Sequence, residues 1–172
     1  MSTTAPVKTA LQSAVDPSVK ARLLEEGYGP GAWHGPDLKA ALADVTPAAA
    51  FWRPGPGRHN IAEIAVHHAW CVRSVLGQLT GKTPGAFPLE GEDWFELAED
   101  GRLAWSKITA LIEAQQQRLA TVVADIGAGR IRSALSESEQ FDLVLGVACH
   151  AIYHAGQVQL IKVLGAVRKR GK

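Results

Sequence analysis

Residues 149–157 read Cys149-His150-Ala151-Ile152-Tyr153-His154-Ala155-Gly156-Gln157, with two histidines four residues apart in an apolar segment. On a helix that spacing is one turn plus about 40°, so both imidazoles project from one face. Two neutral imidazoles held side by side are a nitrogen chelate for a transition metal. The chain has six histidines, and His67 lies in another strongly helical stretch. Together these residues predict a metal site built between helices.

Helical periodicity spreads outward from this segment, and strand signals are nearly absent. Ser136-Glu137-Ser138-Glu139 offers a capping box for the last helix, which is predicted to reach Val167. At 100° per residue Leu143, Val147, His150, His154 and Ile161 fall within about 60° of one another, so the histidines face the interior. Gly146 and Gln157 project onto the same face, and Gln157 could hydrogen-bond a ligand histidine. A second long helix is predicted over Arg102 to Ile126, ended by Gly127-Ala128-Gly129. A third follows the break Pro54-Gly55-Pro56-Gly57, with Asn60 as cap and Thr80-Gly81 as its end. Asp16-Pro17 opens a short helix to Gly27, Pro36 starts another carrying Leu38, Leu42 and Val45, and Thr46-Pro47 caps a turn. The three long helices plus the one near 36–45 predict an all-α four-helix bundle.

A chain of 172 residues fits one domain with its own core. The net charge of +1 gives no electrostatic footprint for nucleic acid or an acidic membrane. The basic end Arg168-Lys169-Arg170-Gly171-Lys172 suits a helix C-terminus. Cys71 and Cys149 both fall in predicted helices among apolar residues, which predicts core thiols and no disulfide. No signal-like run and no stretch resembling a membrane span is read, so a soluble, cytoplasmic protein is expected.

His67 and His68 are consecutive, and only one can face a given direction. His68 falls in the middle of the stripe Ile61, Ile64, Ala65, Val72, Val75 and Leu79; His67 falls on its flank beside Glu63, Cys71 and Ser74. Periodicity favours His68 as the buried residue, whereas a site opening onto a cleft favours His67, and spacing does not choose. Cys71 is one turn from His67 but reads more simply as a structural thiol. His59 reads as a loop anchor and His34 as a backbone-bonded turn residue. Trp70 and Trp94 read as covers of the core near a pocket mouth, and Tyr153 as a helix-contact residue.

The segment His59-Asn60-Ile61-Ala62-Glu63-Ile64-Ala65-Val66-His67, with the distant His150-Ala151-Ile152-Tyr153-His154-Ala155-Gly156-Gln157, resembles the DinB/YfiT-like metalloenzymes. Trp33-His34-Gly35-Pro36, Arg53-Pro54-Gly55-Pro56-Gly57 and Trp94 extend the likeness over roughly 28–165. The resemblance implies a four-helix bundle over 28–167, preceded by an extension with a short helix (1–27) and followed by a basic tail (168–172). It implies one divalent ion, zinc or nickel, held by His67, His150 and His154 at one end of the bundle. It also implies a homodimer. His68 is a departure, because the family has an apolar residue there.

Three protein nitrogens leave at least one coordination position open, unlike a closed structural zinc site. Two reactions on a small molecule suit such a site. One is hydrolysis of an ester or amide by activated water, for which Glu63, one turn before His67, is the nearest candidate base. The other is transfer of a low-molecular-weight thiol to an electrophile, activity that the resemblance also implies. A third expectation is of another class: a non-enzymatic metal- or ligand-binding stress-response protein. A polar substrate pocket favours an enzyme, and a small apolar one favours binding.

Overall fold

The structure, a computed structural model, describes residues 16–99, 101 and 103–170. They form six helices: α1 (Pro17–Tyr28), α2 (Leu38–Ala43), α3 (Pro47–Ala50), α4 (Ile61–Thr80), α5 (Trp105–Gly127) and α6 (Glu137–Arg170). No strand occurs among the described residues. The cap chemistry sets the boundaries. Asn60 accepts from Glu63 N–H while the Glu63 carboxylate accepts from Asn60 N–H, and Gly81 ends α4 at φ 65°. Ser136 and Glu139 form the equivalent reciprocal pair before α6. Thr46 caps α3 ahead of Pro47. The helix predicted from Arg102 begins at Trp105, and α6 continues to Arg170.

The bundle consists of α1, α4, α5 and α6. α1 packs along α6 and α5, and α4 packs against α5 and α6. This corrects the helix near 36–45 as the fourth member. Asp37 caps α2 and Asp44 terminates it after six residues, leaving a short brace on α6. It also draws the described part of the 1–27 segment into the bundle: Leu24 is buried with Val72, Leu119 and Val144. Residues 1–15 lie outside the described part, as do the side chains of 169–172 in the basic tail. Gly27 permits the close α1–α6 approach. A Cβ there would stand 3.0 Å from the Ala148 carbonyl oxygen and 3.1 Å from Ala151 Cβ.

Two apolar layers lie along the bundle. One joins Ile61, Ile64 and Ala65 to Ile108, Ile112, Ala151 and Val158. The other joins Val72, Leu76 and Leu79 to Leu119, Val123, Val144 and Val147. Matching layers in chain order makes α4 and α5 parallel and α6 antiparallel to both. The connection 81–104 therefore returns along the bundle before α5 starts. It is pinned by Asn60 Nδ2–H donating to the Leu97 carbonyl and by Leu97 N–H donating to Glu63. His67 and His68 on α4 and His150 and His154 on α6 fall in sequence among or beside residues of the first layer, and Gln116 on α5 falls between the two.

Two sequence expectations on α6 change. Cys149 is exposed and is no core thiol. Residues 137–168 are long and apolar enough to cross a membrane by length and composition, contrary to the expectation that no stretch resembles a span. One face of this helix is committed to the bundle core through Val144, Val147, Ala151, Val158 and Ile161.

Candidate metal centre

α4 presents His67 and α6 presents His150 and His154, and their ligand atoms lie within 4.8 Å of one another. The Nε2 atoms converge. His150 Nε2 is 3.1 Å from His67 Nε2 and 2.9 Å from His154 Nε2. Each ring is held from behind through Nδ1. His67 Nδ1 is 3.0 Å from the Asp93 carbonyl oxygen and 3.0 Å from its Oδ1. His154 Nδ1 is 2.6 Å from Gln157 Oε1, whose own Nε2–H donates to Tyr153 Oη at 3.0 Å.

These partners fix two tautomers. A carbonyl, a carboxylate and an amide oxygen only accept, so His67 and His154 carry their protons on Nδ1. Both Nε2 lone pairs then point into the space they share with His150. Such an arrangement suits a cation, and a second hydrogen-bonding group behind each ligand histidine is the usual support of a metal site. Metal–nitrogen bonds of about 2.1 Å give nitrogen–nitrogen edges of about 3.0 Å in an octahedron and about 3.4 Å in a tetrahedron. The two separations seen are short enough for His67, His150 and His154 to hold one shared ion.

Burial favours the neutral form of the two α6 histidines. It depresses His150 to about 4, with His67 adding to the effect and Asp93 opposing it. Burial likewise takes His154 to about 4, against the raising effect of its bond to Gln157. Neutral imidazole is the form that binds metal.

His68 is fully buried, and its pKa is pushed well below the ordinary value by that burial, then by the neighbouring histidines. Its Nδ1 is 3.0 Å from His150 Nδ1 and its Nε2 is 2.6 Å from Gln116 Nε2. The two consecutive histidines thus serve different shells of one site: His67 faces the shared space, and His68 stands behind His150.

Trp94 is sandwiched between two histidine rings, with ring centroids 3.9 Å from His67 and 3.7 Å from His59. It belongs to the turn that positions Asp93. Trp94 N–H donates to the Glu92 carbonyl at 2.8 Å across Asp93, whose φ is 64°. This is a tight three-residue turn with its centre in the sparsely populated left-handed region, where backbone strain is typically about 1–3 kcal/mol. The strain aims the Asp93 carbonyl at His67.

Glu63 is not positioned as a base. Its carboxylate is 1% exposed and accepts from Arg53, His59, Asn60 N–H and Leu97 N–H. Burial raises its pKa, but these bonds together outweigh that and hold it below the ordinary value. Cys71 groups with His67 and Asp93, its Sγ 3.9 Å from His67 Nε2. Burial, then Asp93, pushes that thiol up to about 11. His34 bonds the Glu26 carbonyl and Trp70 packs on Phe87 and Phe95, as plain structural roles require. Tyr153 is largely exposed and, rather than making a helix contact, holds Gln157. Gly146 is exposed, with open space around it, and does not line the site.

A sequence profile of the DinB superfamily matches residues 32–158. The chain belongs to the DinB superfamily. The match takes in α2 to α5, His67, and the part of α6 that carries His150 and His154. No curated protein and no solved structure matches the chain. Within this DinB-superfamily domain, spacing located His150 and His154 and the family resemblance supplied His67, the three histidines that could hold a metal ion. It gave no sign of Asp93 or Gln116, which reach the site from a loop and from a third helix. Only Gln157, on the same helical face as His154, was visible beforehand.

Proposed function

We propose that this DinB-superfamily protein is a divalent-metal-dependent enzyme acting on a small molecule, with His67, His150 and His154 as its ligands. The supporting observation is the pair of Nε2 lone pairs, forced by Asp93 and Gln157, that converge on His150 Nε2. Zinc or nickel suits three imidazoles and would supply Lewis-acid activation of a thiol or water. Among the two reactions, thiol transfer is favoured. Glu63, the base expected for hydrolysis, is bound by Arg53 and two backbone N–H groups, whereas a metal-activated thiol reacts without a protein base.

The chain's own residues orient and shield. Asp93 and Gln157 keep two ligand protons on Nδ1, and the stacked Trp94 limits water access to His67. A homodimer belongs to the same proposal. Leu160, Val163, Leu164 and Val167 are exposed on the C-terminal half of α6 and give a second copy an apolar face to cover.

The test is metal content of the purified full chain by plasma mass spectrometry after reconstitution with zinc or nickel. About one ion per chain is expected, and His150→Ala and His154→Ala should each lose it while keeping their helical circular dichroism. Stoichiometric metal in His150→Ala would overturn the ligand assignment. Turnover of an electrophile with glutathione-like thiols, lost in the same variants, separates the enzyme from a metal-binding protein without catalysis.

A further inference from the structure

Unlike its two companions, His150 has no obligate acceptor behind it. Its Nδ1 faces His68 Nδ1 at 3.0 Å, and His68 Nε2 faces the Gln116 carboxamide at 2.6 Å. His68 is 0% exposed, so it has no solvent partner and desolvation disfavours its charged form. A neutral imidazole has one donor and one acceptor, which leaves the chain two consistent arrangements.

In the first, Gln116 Nε2–H donates to His68 Nε2, His68 Nδ1–H donates to His150 Nδ1, and His150 carries its proton on Nε2. That proton points at the lone pairs of His67 and His154, 3.1 and 2.9 Å away, and satisfies the cluster without a metal. The carboxamide orientation seen, Nε2 toward His68, belongs to this arrangement. In the second, the amide turns over. Gln116 Oε1 accepts from His68 Nε2–H, His68 Nδ1 accepts from His150 Nδ1–H, and all three Nε2 lone pairs are free.

We propose that His68 and Gln116 form an invertible hydrogen-bond relay that sets which nitrogen of His150 is protonated, and so whether the triad can take a metal. The proposal rests on the metal reading above and adds its control. The exchange balances without net protons: one leaves His150 Nε2 for solvent, one crosses from His68 Nδ1 to His150 Nδ1, and one reaches His68 Nε2 from solvent. Gln116 separates His68 Nε2 from that solvent, so the last proton arrives only as its amide turns over. It lines a cavity of about 630 Å³ between α1, α2 and α5, with Tyr28, Lys39 and Glu113 on its walls. Gln116 and His68 are positioning residues, acting only through His150.

Long-range nitrogen–proton NMR of the uniformly nitrogen-labelled full chain reads the tautomers directly. In the metal-free protein His150 is expected protonated at Nε2 and His68 at Nδ1. Addition of zinc chloride should move both protons to the other nitrogen and shift the Gln116 amide resonances. His150 already protonated at Nδ1 without metal, or a His68 tautomer unchanged on zinc loading, would overturn the relay. His68→Phe removes the acceptor for His150 Nδ1–H and should weaken zinc binding by about 10–100-fold in a chelator competition. Wild-type affinity in that variant counts equally against the relay. A wild-type protein that takes up no divalent metal would instead sink the proposed function, and the metal-free tautomers would still decide whether the resting arrangement exists.

Discussion

The Glu63 carboxylate ties together the start of α4, the Arg53 turn and the returning loop at Leu97. Glu63→Gln puts amide hydrogens where Arg53 and two backbone N–H groups already donate, at about 1–3 kcal/mol for each buried group left unsatisfied. A loss of about 2–4 kcal/mol in urea unfolding is expected, with the metal content of the folded protein unchanged. Unaltered stability with lost turnover would restore Glu63 as a base. The histidines predict a pH dependence as well. His150 and His154 are held near 4 against an ordinary 6.5, so the unfolded chain binds more protons between those values. Stability of the metal-free protein is therefore full above about pH 6.5 and declines as the pH falls, the loss being complete once below about 4. Urea melts at several pH values in the presence of chelator check this, and a flat profile would contradict it. Periodicity favoured His68 as the buried residue yet did not choose the site's histidine, for a physical reason: both are buried, one in front and the other behind.

The helices show where sequence patterns carry tertiary information and where they do not. Asn60, Thr46 and Ser136 announced their helix starts because capping is local chemistry, complete within four residues. The fourth bundle helix was not announced. Choosing α1 over α2 depends on what each meets across α6, and the deciding contact is the absent side chain at Gly27. Gly27→Ala should cost about 1–3 kcal/mol, because backbone atoms of Ala148 would have to move. Gly146→Ala, on α6 with nothing within 4 Å of a new Cβ, should instead stabilise by about 0.5–1 kcal/mol through helix propensity. Thermal melts of the two variants moving in the same direction would refute this account of the α1–α6 seam.

At the scale of the whole molecule, the helical bundle and the His150–His154 pair were legible because both follow a 3.6-residue period, whereas His67 came from the family resemblance. The return loop was not legible, since the γ-turn at Asp93 follows no repeat. The exposed apolar residues of α6 predict a dimeric mass by light scattering at micromolar concentration, reduced to a monomer by Leu160→Glu with the fold intact. A monomeric wild-type mass would remove that face from consideration. The histidine cluster has one further consequence. His67 and His150 are 83 positions apart in the chain, on antiparallel helices. An ion shared by them closes a loop of that length in any partly unfolded state that keeps it bound. Loop-closure entropy puts the ceiling of such a cross-link at about 4–5 kcal/mol, comparable to a well-placed disulfide but broken by chelation instead of reduction. Metal supply would then set how long the bundle stays closed as well as what it can do.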